Sequence, residues 1–220
     1  MVRQLEDKSG IAASLNNLGE VAFARGDHPA GRALYQDSLA LMRELGDKSG
    51  IANVLNNLGG AASEQGDYGA ALPLLEEALT LMRELGERSG IATSLNTLGS
   101  LAFEKGDAAA ALALNRESLA IRHELGERRA IAGTLEGVAE GLSARGEPLA
   151  AARLWGAAER LREALGSPLA PNERPRYERQ VTAARAALPD ARAFAASWQQ
   201  GRALALERAI ELALQAAPPA

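Results

Sequence analysis

A forty-residue repeat is the feature that most limits how this chain can fold. The segment LNNLG at residues 15–19 returns at residues 55–59 and, as LNTLG, at residues 95–99. A weaker copy, LEGVA, follows at residues 135–139. A regular period of this length predicts an array of stacked units, in which each unit buries its apolar face against a neighbour.

Two turns divide every period into two helices. Gly26-Asp27 and its copies mark one turn, and Gly46-Asp47 and its copies mark the other. Glycine takes the left-handed conformation that ends a helix, and the acid after it accepts hydrogen bonds from the free amides of the next helix. We therefore predict helix A at residues 8–25, 48–65, 88–105 and 128–145, and helix B at residues 29–45, 68–85, 108–125 and 148–165.

Apolar stripes at helical spacing support this division. Ile11, Leu15 and Leu18 fall on one face of the first helix A. In the first helix B we predict that Leu34, Leu41 and Leu45 form the buried stripe. Neither helix can bury its stripe alone, so the pattern indicates an all-α fold built by stacking.

The repeat resembles the tetratricopeptide repeat (TPR). That family has a large residue three before Leu-Gly, a small one three after the glycine, and a Gly-Asp turn. Leu55, Leu58-Gly59, Ala62 and Gly66-Asp67 follow the pattern in order, and Ala71 supplies the small residue of helix B. The usual Trp is Leu here, the usual Tyr is Ala, and the period is longer than the typical 34. The longer period is similar to repeats of kinesin light chains, mitotic-spindle adaptors and the C-terminal arms of bacterial multidomain regulators. HEAT-type repeats share a period near 40 but generally lack the Leu-Gly and Gly-Asp pairs.

The resemblance implies a right-handed α-solenoid of about four hairpins over residues 1–166, followed by a C-terminal helical capping segment over residues 167–220. In that segment we predict helices from Asn172 to about Leu188 and from Asp190 to about Gly201, and a third that carries Leu206, Ile210 and Leu214. Trp155 and Trp198 are expected to pack at the junction with this tail.

The start of the chain predicts an incomplete first unit. Residues 2–10, VRQLEDKSG, match the end of a helix B and the turn that follows it. The first helix A should therefore lack the helix that covers its outer side. Either the chain is a fragment of a longer protein, or a partner or a second copy covers that side. Homo-oligomerisation would use this open repeat or the tail.

The resemblance also implies a scaffold that binds a protein or an extended peptide in a concave groove lined by the A helices. An asparagine ladder suits such a groove, because a carboxamide both donates and accepts hydrogen bonds and so pairs with any peptide backbone. In the alternative interpretation each Asn braces the neighbouring repeat. Phe23 and Phe103 either contact a ligand or pack between helices A and B. The candidate peptide-binding residues are Asn16, Asn17, Glu20, Phe23, Asn56, Asn57, Ser63, Asn96, Thr97, Ser100, Phe103, Glu136 and Glu140.

Reactive constellations are not apparent in the sequence. There is no cysteine, and neither His28 nor His123 has a second ligand at helical spacing, so we expect no metal site, no cofactor and no enzyme activity. Residues 46–50, GDKSG, lack the spacing of a phosphate-binding loop.

The formal net charge of −4, with no basic patch, argues against direct nucleic-acid binding. No apolar stretch is long enough for a membrane span, so a soluble cytoplasmic protein is expected. The alternative function is an oligomerisation or sensor arm of a larger bacterial transcriptional or ATPase-type regulator.

Overall fold

Helices make up the regular secondary structure of this chain. In a computed structural model, residues 2–215 are described, with side chains from residue 7 onward. The all-α prediction is confirmed, and the repeat helices agree with their predicted bounds to within one residue, except at the start of α1. The helices are α1 (Val2–Ala24), α2 (His28–Leu45), α3 (Lys48–Glu64), α4 (Tyr68–Leu85), α5 (Arg88–Glu104), α6 (Ala108–Leu125), α7 (Arg128–Ala144), α8 (Pro148–Leu165), α9 (Arg174–Ala186), α10 (Ala191–Arg202) and α11 (Leu206–Leu214).

The turns use the predicted chemistry. The eight glycines that end the repeat helices have φ between 59° and 82°, which is the left-handed region. After four of these glycines an aspartate carboxylate accepts from the amide three residues on, at 2.9–3.2 Å. Glu127 and Glu147 stand at equivalent positions but make no such bond. The shorter aspartate side chain therefore caps these helices, whereas glutamate contributes only its charge.

The predicted turn near residue 6 is wrong. Helix α1 runs without a break from Val2 to Ala24. Glu6 stands where the other repeats have a glycine such as Gly46. Its β-carbon makes the left-handed conformation costly, so the helix continues through this position.

The chain comprises two compact units, Met1–Leu101 (unit 1) and Ala102–Ala220 (unit 2). Unit 1 contains α1 to α4 and α5 as far as Leu101. Its apolar core includes Tyr35, Leu55 and Met82, which are buried from solvent. The predicted helix A stripe is not buried in α1, where Ile11 and Leu18 are exposed and Leu15 is half-buried, whereas the equivalent Leu55 and Leu58 of α3 are buried.

The predicted helix B stripe is wrong by one residue. Leu34, Leu41 and Leu45 are only half-buried, whereas α2 buries Tyr35 and Met42 together with their neighbours on that face. The Tyr35 ring packs against Gly19, where a β-carbon would lie 2.6 Å from the ring. The wide aromatic ring opposite a glycine therefore sets which face of α2 turns inward.

Unit 2 contains the end of α5 and helices α6 to α11. Trp155 and Phe194 are fully buried in its core, with ring centroids 6.4 Å apart. Helices α8 and α10 approach closely, because a β-carbon on Gly156 would overlap the carbonyl of Trp198. Trp198 also donates its indole N–H to Glu159 at 2.8 Å. Both tryptophans therefore pack where the tail meets α8, and α10 covers that helix.

Among the helices described, none combines the length and apolarity that crossing a membrane requires.

Candidate protein-binding surface

Side-chain hydrogen bonds join neighbouring A helices in unit 1. Asn57 Nδ2 on α3 donates to Asn16 Oδ1 on α1 at 2.9 Å and to Glu20 Oε1 at 3.1 Å. Asn16 Nδ2 donates to the same oxygen of Glu20 at 3.3 Å. We call these three residues the amide cluster. It braces α1 against α3, yet Asn57 makes both bonds as a donor, which leaves its carboxamide oxygen to accept from a ligand.

Asn56 lies deeper than the amide cluster. Only 5% of its surface is exposed, and its Nδ2 donates to Ser94 Oγ at 2.9 Å. Its carboxamide oxygen is buried and has no hydrogen-bond partner among the described residues. The hydrogen bond of Asn56 therefore joins α3 to α5, as expected if each asparagine braces the neighbouring repeat.

The remaining predicted positions of unit 1 form a shallow surface. Asn17 is exposed, Asn96, Thr97 and Ser100 are half-buried, and Ser63 is buried. Thr97 Oγ1 donates to the carbonyl of Thr93, one turn earlier in α5. Near Gly60, an added methyl group would meet only the Thr97 methyl at 3.7 Å, so space remains at this point.

Phe23 packs inside its own hairpin. Its ring stacks on Tyr35 with centroids 5.5 Å apart and lies 5.2 Å from the ring of His28. The side chain is buried, so the structure places Phe23 between α1 and α2, as the packing alternative describes.

In unit 2 the predicted acidic position is paired with an arginine of the tail. Arg176 of α9 contacts Glu140 Oε2 at 2.8 Å and Glu104 Oε1 at 2.9 Å. Its guanidinium also lies 6.0 Å from the centroid of the Phe103 ring, within cation–π range. Helix α9 thus occupies the surface where Phe103 and Glu140 were predicted to meet a peptide.

A second arginine holds Glu136. Arg162 of α8 binds the Glu136 carboxylate through two parallel N–H bonds of 2.7 and 2.8 Å. Both side chains are largely buried, at 16% and 10% exposed. Sequence reasoning missed Arg162 and Arg176, because their partners lie 26 and 36 residues away and no local pattern links them.

Burial dominates the acid–base behaviour of this region. It raises the pKa of Glu140 to about 7, against the opposing charge of Arg176. Burial likewise raises the pKa of Glu136, while the hydrogen bond that Arg162 donates to Glu136 raises the pKa of Arg162. The pKa of the acid and that of its partner thus both move upward, because the carboxylate lies deeper than the guanidinium and loses more hydration.

A cavity of about 330 Å³ lies beside the Glu136–Arg162 pair. Acidic and apolar side chains line it, and its volume is near the lower end of the range found for ligand pockets. Within the described part of the chain, no group of three or more His, Asp or Glu residues is arranged to hold a metal ion. The cavity is lined by Glu136, Glu159, Arg162, Glu163, Gly166, Ser167, Pro168, Leu169 and Tyr177.

Comparison with known proteins identifies the repeat. Residues 10–84 match one model of the tetratricopeptide repeat, and residues 91–126 match another. The crystal structure of BtubC (BKLC) from P. vanneervenii is similar, with a TM-score of 0.59 and 22% identity. That match covers 72% of this chain and 65% of BtubC, so the chain spans just under two thirds of the length of that protein.

A putative kinesin light chain from Podospora anserina, with nearly identical TPR-like repeats, is also similar. Its TM-score is 0.62 at 16% identity, over 89% of this chain and 96% of that chain. Identities this low show the shared fold alone, which confirms the predicted all-α helical repeat solenoid. No curated protein sequence matches the chain.

Proposed function

Because the chain belongs to the tetratricopeptide repeat proteins, we propose that it is an adaptor that binds an extended peptide segment of a partner protein through the A-helix face of unit 1. Repeats of this family generally mediate protein–protein interaction. The amide cluster is the observation that carries the proposal. It places carboxamides of α1 and α3 side by side, and Asn57 keeps an acceptor for a peptide N–H.

The chemistry of this surface suits a peptide backbone rather than one particular side chain. A carboxamide donates and accepts, so it bonds to the main chain of any sequence. Asn17, which follows Asn16 in the sequence, is exposed and adds a third carboxamide. The open space near Gly60 leaves room for a side chain of the partner.

Unit 1 is favoured over unit 2 for this role. In unit 2 the predicted contacts Glu136 and Glu140 already bond to Arg162 and Arg176. A peptide would have to displace those arginines before it reached the carboxylates. We find no contact among the described residues that favours the alternative, the regulatory arm of a larger protein, so the adaptor role is our proposal.

Selection of peptides from a random display library against the purified chain tests this function. We expect fluorescence anisotropy to show that the selected peptides bind the Asn17→Ala, Asn57→Ala double variant about tenfold more weakly, since each lost hydrogen bond is worth roughly 0.5–1.5 kcal/mol. The matched control is Asn172→Ala, which removes an exposed carboxamide from unit 2.

Circular dichroism of each variant checks that the helices remain, because Asn57 also braces α1. Peptides that bind the wild type and the double variant equally would show that this surface is not the binding site. A library that yields no binder would contradict the scaffold role itself.

A further inference from the structure

The outer face of α1 repeats an interface that is filled elsewhere in unit 1. Helix α2 covers α3, and Met42 lies over Gly50 so closely that a β-carbon there would overlap the Met42 sulfur. One period later Met82 lies over Gly90 in the same way. Helices α2 and α4 thus each place a methionine in a hole left by a glycine on the next helix A.

Gly10 is the equivalent glycine of α1, at the same forty-residue step. A β-carbon added to Gly10 would meet no atom of the described side chains within 4 Å. The hole that receives Met42 on α3 and Met82 on α5 is therefore vacant on α1.

The apolar side chains on the same side of α1 as Gly10 are exposed, unlike their equivalents on α3. Ile11, Leu18 and Val21 are 52%, 54% and 46% exposed. Leu58 and Ala61, the equivalents of the last two on α3, are 9% and 6% exposed. Gly10, Ile11, Leu18 and Val21 lie on one side of the helix by their spacing, and we call them the α1 socket.

Charge at the rim of the α1 socket matches the same interface. Arg43 follows Met42 on α2 and pairs with Glu77 on α4, with 3.5 Å between Nη2 and Oε1. The residue of α2 equivalent to Glu77 is Asp37, which is exposed and has no ion-pair partner among the described residues. A helix that placed methionine in the hole at Gly10 would carry an arginine in the next position toward Asp37.

From this unfilled copy of a filled interface we infer that the α1 socket binds an amphipathic helix of the helix B type that presents Met-Arg to Gly10 and Asp37. The three residues of the amide cluster are not part of the α1 socket, so helix binding here does not depend on the hydrogen bonds of that cluster. In this chain α2 and α4 both carry the required sequence, LMREL, at residues 41–45 and 81–85.

A labelled synthetic peptide of residues 27–47, which spans α2 with both of its turns, is the probe. We expect saturable binding to the full chain by fluorescence anisotropy, and binding at least about tenfold weaker when Met42 of the peptide is replaced by Asp. Gly10→Leu and Leu18→Asp of the chain should each weaken binding by a similar factor, because one fills the hole and the other puts a charge on an apolar contact.

The variants separate docking from misfolding. Gly10→Leu adds a side chain where no described residue lies within 4 Å, so its circular dichroism should equal that of the wild type. Gly69→Leu, at an exposed helical glycine of α4, is the matched control and should bind the peptide normally.

Equal binding to all variants would mean that the peptide replaces α2 at the filled joint or binds non-specifically, and would overturn the inference. A chain that ignores the peptide would overturn it as well. A dimer in light scattering that Leu18→Asp dissociates, without any peptide binding, would assign the α1 socket to a second copy and exclude the helix B partner.

Discussion

The titration of Glu140 gives the sharpest test of how unit 2 is held together. Burial raises the folded-state pKa of this carboxyl to about 7 from an ordinary value of 4.5. The charged groups that face it are Arg176 of α9, Glu104 of α5 and Glu136 of α7. Only Arg176 favours the ionised form, and its attraction does not offset the loss of hydration.

The sign of the pH effect follows from proton linkage. Between the unfolded pKa and the folded pKa, the folded protein binds more protons than the unfolded chain, so stability falls as pH rises through this window. Because the pKa rises from 4.5 in the unfolded chain to about 7 in the folded protein, unit 2 is expected to lose about 2 kcal/mol through Glu140 alone between about pH 5 and about pH 7.5, which is the larger part of the whole effect.

Glu140→Gln isolates this contribution, because glutamine resembles the protonated acid and does not titrate. We expect the excess of the variant's unfolding free energy over that of the wild type to grow by about 2 kcal/mol between about pH 5 and about pH 7.5. Urea denaturation followed by tryptophan fluorescence measures unit 2 selectively, since both tryptophans of the chain, Trp155 and Trp198, lie in it. The pH dependence of the wild-type unfolding free energy also includes the titration of Glu136. Because both proteins share that contribution, it cancels in the difference between them.

Two outcomes would refute the reasoning. Parallel stability profiles for the wild type and Glu140→Gln would show that Glu140 titrates near its ordinary pKa. A wild type that gains stability over the variant as pH rises would show that the ion pair with Arg176 outweighs the cost of burial.

Three substitutions test packing and pairing, each by urea denaturation. Asn56→Ala removes the donor to Ser94 and should cost about 1 kcal/mol by circular dichroism, whereas an unchanged midpoint would show that the buried bond adds nothing. Gly156→Ala places a methyl group against the α10 backbone and should cost about 2 kcal/mol of unfolding free energy, measured by tryptophan fluorescence. The control is Gly133→Ala, whose β-carbon meets only the end of an arginine at 3.7 Å, and it should stabilise unit 2 by up to about 1 kcal/mol. Arg162→Met leaves the Glu136 carboxylate buried and unpaired, so it should cost about 3 kcal/mol near neutral pH. The cost should be smaller in acid, where the Glu136 carboxyl takes a proton; equal costs at both pH values would contradict this account.

The helix ends were predictable because their causes are local. The Gly46-Asp47 turn needs only a residue that tolerates positive φ and a short acid that accepts from the next helix. The same chemistry explains the one failure, since Glu6 keeps the repeat pattern around it but cannot adopt the turn at low cost.

Inward faces were harder to predict, because they depend on the partner helix. A leucine stripe at residues 34, 41 and 45 has the correct helical spacing, yet the Tyr35 ring opposite Gly19 decides the orientation of α2. Helix propensity and hydrophobic periodicity describe one helix at a time, so they do not predict a contact that depends on the surfaces of both α1 and α2.

The candidate binding surface was predicted only in its position along the A helices. The sequence places Asn16 and Asn57 on neighbouring helices, but the bond between them depends on how those helices pack. The pairing of Glu140 with Arg176 lies beyond sequence reasoning, because α9 returns to a helix that precedes it by a whole repeat.

The joints in which Met42 lies over Gly50 and Met82 over Gly90 are chemically the same, one period apart. Removal of residues 47–86 would therefore bring Met42 over Gly90 with every spacing along the chain preserved. Recombination between near-identical segments could add or delete one period without any compensating substitution. The repeats joined by these two contacts are therefore interchangeable, so their number can change during evolution while the structure of each repeat is kept.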